Sequence, residues 1–86
     1  MATAHFYHEK GVGMTEVEWR AEFAKKLQRK MDRQGIDQRR LSQITGLSEG
    51  AISKYLSGQR TPKIYSVVLI AKALNSSLYE IMPSTK

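Results

Sequence analysis

Glu49 and Ser53, and Gly50 and Lys54, are each four residues apart, so all four fall on one side of any helix that contains them. That side offers a carboxylate, a hydroxyl, an ammonium and, at Gly50, bare backbone. Such a set forms hydrogen bonds and ion pairs with a polar surface. It does not make or break bonds, because acid–base and nucleophilic chemistry need a base paired with a reacting group in fixed geometry. The chain has no cysteine, no glycine-rich phosphate loop and only two histidines. His5 and His8 lie near the start without further ligands, so no metal site, no cofactor and no enzyme activity are expected. A second set is cationic. Arg39 and Arg40 open a segment that reads as helical, where the helix dipole disfavours each cation by a few tenths to about 1 kcal/mol. An anion held at that helix end offsets the cost, although Arg40 reads equally well as a solvated surface group.

The net charge of +6 is unevenly placed. Between Lys25 and Lys63 stand ten Lys/Arg against three acids, and the remainder is slightly acidic. A localised basic surface suggests a polyanionic partner. Eighty-six residues support one core, and therefore one domain. Helix formers dominate without strand-like alternation, so the expected fold class is all-α. Lack of cysteine excludes disulfides and thiolate zinc sites and suits a reducing cytosol. The longest apolar run, Val67 to Ala71, is far short of the ~20 residues a membrane helix needs. The first fifteen residues carry no secretory signal. A cytoplasmic protein without a membrane partner is expected.

The elements that must position these groups follow from caps and periodicity. Residues 1–14 read as a flexible arm containing Phe6, Tyr7, Gly11 and Gly13, and residues 15–83 as the domain. Thr15 and Glu18 form a capping-box pair ahead of Trp19, Phe23, Leu27 and Met31, a buried stripe at every fourth residue that should end near Gly35. Asp37 caps a second helix with Ile36 as its hydrophobic staple, Leu41 and Ile44 facing inward and Gly46 at its end. Ser48 caps a third, Leu47 and Ile52 repeating the staple, with Gly58 closing it. Thr61-Pro62 reads as N-cap and first residue of a fourth helix with Ile64, Val67, Val68, Ala71 and Leu74 on its apolar face and Asn75 at its end. Ser77 and Glu80 suggest a capping box over a short fifth helix, Leu78 to Met82, stopped by Pro83.

Two helices joined by a sharp glycine turn, with small Ser42 where they approach and a shared apolar set, meet the demands of a helix-turn-helix. The segment QRRLSQITGLSEGAISKYLSGQRTP followed by KIYSVVLIAKALNSSLYEIM resembles the lambda-repressor-like, Cro/CI-type (XRE) DNA-binding domain, over roughly Phe23 to Met82. Carrying the resemblance are Gln38, Ser42, Gly46, Ile52, the connector Ser57 to Pro62, the run Ile70 to Leu74 and the close Ser77 to Ile81. It implies a compact five-helix fold whose third helix enters the major groove of double-stranded DNA while flanking loops grip phosphates. Transferred residue by residue, it makes Glu49, Gly50, Ser53 and Lys54 base-contact candidates. Gln38, Arg39, Ser57, Gln59, Arg60 and Lys63 become phosphate-contact candidates. Tyr65, beside the connector, is an ordinary surface aromatic or a phosphate neighbour. Gly50 stands where the family often carries a base-reading side chain. Either glycine lets the backbone approach the groove, or the position is under no demand. Glu49 suits a cytosine amino group or only complements the helix dipole.

The function implied by the resemblance is a sequence-specific transcriptional regulator of bacterial or phage type at the nucleoid, a repressor acting as a homodimer. The fifth helix, with Tyr79, Ile81 and Met82, would supply the contact between copies. The alternative is an antitoxin-like module that covers a protein partner with the same fold, using the arm with Phe6 and Tyr7. No separate effector-binding domain is expected within this length, so regulation would come from a partner or from protein level, or else the chain is a piece of something longer.

Overall fold

The computed structural model describes residues 13–83. The readings of His5, Phe6, Tyr7, His8 and Gly11, and with them nearly all of the expected arm, lie outside the described residues. Five helices occur among the described residues: α1 (Glu16–Gln34), α2 (Gln38–Thr45), α3 (Glu49–Leu56), α4 (Ile64–Ala73) and α5 (Leu78–Ile81). The all-α expectation holds.

Local chemistry sets most of these boundaries. Thr15 and Glu18 close the expected capping box, at 3.1 Å from the Glu18 N–H to Thr15 Oγ1 and 2.9 Å from the Thr15 N–H to Glu18 Oε1. Gly35, at φ +67°, ends α1 in the left-handed conformation that side chains resist, and Asp37 caps α2 only two residues later. Ser77 Oγ accepts from the Glu80 N–H at 3.3 Å, but the expected second capping box is not what Glu80 chiefly serves. Its carboxylate takes a 2.6 Å bond from Lys30 Nζ, tying α5 to α1.

α1 packs on α3 and α5, α2 on α3 and α4, and α4 on α5. Phe23, Leu27 and Met31 from α1 meet Leu41, Ile52, Tyr55, Val67, Ile70, Leu74 and Ile81 in one core. Trp19 stacks on Phe23 at 5.3 Å between ring centroids, and Phe23 meets the Tyr55 ring edge-on at 6.4 Å. Full burial of each large apolar side chain contributes roughly 1.5–3 kcal/mol. A four-residue helix such as α5 has no stability of its own, so its place depends on Ile81 in that core.

Four expectations require correction. Thr61 and Pro62 do not start α4. Lys63 is its N-cap, without a side-chain bond, because the Thr61 hydroxyl donates to Glu16 Oε2 at 2.6 Å and Pro62 is buried. Ile64, expected inward, is 64% exposed: it opens α4 one turn ahead of the first residue that reaches the core, Val67. Ile44 is 43% exposed because Leu41 alone fills the inward position of the short α2. Ile81, placed on the surface by the sequence reading, is fully buried.

Candidate nucleic-acid interface

α3 has two unlike sides. Ile52 and Tyr55 are buried, while Glu49, Gly50, Ser53 and Lys54 are all exposed on the opposite side. Ser48 holds the near end by accepting the Ala51 N–H at 3.0 Å. Gly50 has ordinary helical geometry, and a Cβ built there would find only Ser48 Oγ, at 4.0 Å. The fold therefore does not demand glycine at this place.

The turn that aims α3 is braced from both sides. Gly46 adopts φ +80°, and its N–H donates to the Ser42 carbonyl at 2.8 Å. The Ser42 hydroxyl donates to the Leu47 carbonyl at 2.6 Å. Thr45 Oγ1 donates to the Leu41 carbonyl at 2.7 Å and accepts the Leu47 N–H at 3.1 Å. Ser42 thus acts as a hydrogen-bond donor as well as a small residue.

Two stretches flank the exposed side of α3. One is the start of α2, where Gln38, Arg39 and Arg40 are exposed and the first turn contains no acid. Arg40 reaches Gln43 Oε1 at 3.4 Å. Gln38 and Arg39 share with Glu49 an open cleft of about 690 Å³, in which Met31, Ile36 and Leu56 also take part. The other stretch is the connector after α3. There the Gly58 N–H donates to Tyr55 at 3.2 Å, and the Gln59 N–H to Lys54 at 2.9 Å, folding the chain back over the helix end. Ser57 Oγ donates to the Lys54 carbonyl at 3.2 Å. Ser57, Gln59, Arg60 and Lys63 are exposed.

The start of α2, the outer side of α3 and the connector are thus all exposed, the first two meeting in the cleft at Gln38, Arg39 and Glu49, with Tyr65 exposed after the connector. Among the described residues the ion pairs are Arg20–Glu16 and Lys30–Glu80, and neither engages Arg39, Lys54, Arg60 or Lys63. The hydrogen bond from Lys30 and its positive charge hold the Glu80 carboxyl below the usual carboxylate range. Glu16 and Arg20 are residues that the sequence reading missed. Arg20 Nε donates to the Gly58 carbonyl at 3.0 Å. Their four-residue spacing hinted at a local pair, but nothing in it pointed to the connector.

Among the described residues no group of His, Asp or Glu side chains is placed to hold a metal, and no helix is long and apolar enough to cross a membrane.

No curated protein matches the chain. Among solved structures, an HTH_3 family transcriptional regulator from Vibrio cholerae superposes with a TM-score of 0.75 at 24% identity, over 78% of this chain and 38% of that one. This chain thus spans well under half of that regulator. The restriction-modification controller protein C.AhdI from Aeromonas hydrophila superposes with a TM-score of 0.71 at 22% identity, over 73% of this chain and 96% of the controller. At these identities the likeness is one of fold. The family model for HTH_3 helix-turn-helix proteins matches residues 25–81, well over half of the sequence and all of the interface from α2 to Lys63. The chain belongs to the HTH_3 helix-turn-helix family.

Proposed function

We propose that the chain binds double-stranded DNA sequence-specifically as a transcriptional regulator, a repressor acting as a homodimer. The observation that carries this reading is the exposed side of α3, flanked by cations from the start of α2 and from the connector. Glu49, Ser53 and Lys54 would meet base edges, with Gly50 letting the backbone come close. Gln38, Arg39, Ser57, Gln59, Arg60 and Lys63 would meet phosphates. Bound at a promoter, such a protein acts by excluding the polymerase, with no chemistry of its own. One copy reads a half-site, and two copies related by a two-fold axis read halves about 34 Å apart. On α5, Tyr79 at 91% exposure and the half-exposed Leu78 are the apolar groups available to a second copy, in place of the buried Ile81.

Selection of bound duplexes from a randomised pool at near-physiological salt tests the reading. The expected result is an enriched inverted repeat with half-sites about one helical turn apart. Retention without enrichment would reduce the interface to electrostatic attraction. No retention would favour the protein-interaction reading, to which exposed Tyr65 and Tyr79 also lend themselves.

A further inference from the structure

The connector after α3 is tied at both ends to one short piece of α1. Arg20 Nε holds the Gly58 carbonyl at 3.0 Å, across 38 residues of sequence. Three residues further along the connector, the Thr61 hydroxyl donates to Glu16 Oε2 at 2.6 Å. Arg20 and Glu16 are one helical turn apart and pair with each other at 3.4 Å through that same carboxylate oxygen. The three contacts close a ring around residues 58–61. Between the tied ends, Gln59 and Arg60 are exposed.

We infer that Glu16 and Arg20 are positioning residues that fix the connector at the height where Gln59 and Arg60 meet a phosphate backbone. This rests on the DNA-binding reading above and gives a task to the first half of α1, which lies outside the residues 25–81 that the family model matches. Three observations favour it over simple helix stabilisation. Gly58, at φ +75°, lies beside α1, an added Cβ coming into ordinary contact with the Arg20 carbonyl at 4.0 Å. The Arg20 side chain is largely covered, so it holds the loop and does not itself present a charge to a ligand. The planar guanidinium donates to a carbonyl through Nε while another of its nitrogens pairs with a carboxylate, which a lysine does less well. A loop already held in place loses less freedom when its side chains engage a partner.

The test compares the full chain with Arg20→Ala, Arg20→Lys and Thr61→Val. Two quantities are read: hydrogen exchange at the Gly58 and Gln59 amides of the free protein, and affinity for the selected duplex at several salt concentrations. Arg20→Ala and Thr61→Val are expected to speed exchange at both amides and weaken duplex binding, each by about tenfold, the scale of one charge-assisted hydrogen bond. Exchange at the core amide of Leu41 and the salt slope of binding should stay unchanged, with Arg20→Lys intermediate. Unchanged exchange at Gly58 and Gln59 would overturn the inference, as would faster exchange with undiminished binding. A salt slope smaller by about one would also overturn it, marking Arg20 as a phosphate contact. A wild-type chain that retains no duplex would defeat the proposed function instead, and the exchange data would still decide whether α1 holds the connector.

Discussion

The two turns on either side of α2 are built to one plan and held with unequal force. Gly35-Ile36-Asp37 and Gly46-Leu47-Ser48 each pair a left-handed glycine with an apolar residue and a capping side chain. The first turn is closed by backbone bonds, from the Gly35 N–H to Asp32 at 3.2 Å and from the Ile36 N–H to Met31 at 2.9 Å. The second adds the Ser42 and Thr45 hydroxyls, which hold the amide and the carbonyl of Leu47. Each added side-chain bond raises the cost of opening the turn. The extra bracing falls on the junction that sets the direction of α3, and the angle between α2 and α3 is what a two-helix reader must keep constant.

The largest effect should abolish the comparison. Leu41 lies in α2 between the two turns and is fully buried, so Leu41→Ala should cost about 2–5 kcal/mol by denaturant unfolding. A loss below 1 kcal/mol would mean that α2 is not anchored as described.

Next is the group that the second turn aims. Lys54→Ala should weaken binding to the selected duplex by about 1–3 kcal/mol if Lys54 reads a base, and leave random duplexes unaffected. An equal loss for every duplex would make it a phosphate contact.

Replacing either glycine isolates backbone strain, since a Cβ at Gly35 or Gly46 meets nothing within 4 Å. Gly35→Ala and Gly46→Ala should each cost about 1–2 kcal/mol, the left-handed penalty alone. Unequal losses would show that the turns differ in strain as well as in bracing.

Ser42→Ala sharpens the contrast. It should cost about 1 kcal/mol of stability and weaken duplex binding by more than the change in folded population explains. Binding that merely tracks stability would leave the second turn no more important than the first.

The smallest effect lies away from both turns. The Glu80 carboxyl titrates below its usual range when folded, so its contribution is present above the unfolded value and lost as pH falls through the folded one. Wild type should melt slightly above Glu80→Gln at neutral pH, the two converging in acid. A gap that persists in acid would assign the difference to something other than the Lys30 pair.

Local signals were legible in the sequence, and distant partners were not. The caps at Thr15, Asp37 and Ser48 and the left-handed glycines depend on neighbours within four residues, and all were readable. The misplaced start of α4 shows the limit. Thr61-Pro62 is a good local helix start, but the Thr61 hydroxyl is taken by a carboxylate 45 residues away. Ile44 and Ile64 failed for a related reason: periodicity marks an apolar face but not how much of it neighbouring elements cover. The candidate interface was readable as a set, because exposure follows from the side of α3 opposite Ile52 and Tyr55. Its support by Glu16 and Arg20 was invisible, being a contact between segments that no spacing rule connects.

α1 also bonds to segments far along the chain. Its side chains bond to residues 38, 40, 45 and 50 positions further along, at Gly58, Leu74, Thr61 and Glu80. During synthesis α1 precedes its packing partners α3 and α5. Until Glu80 and Ile81 have left the exit tunnel, the apolar stripe of Phe23, Leu27 and Met31 has no complete cover. The cover of that stripe is therefore completed only by the last of the five helices.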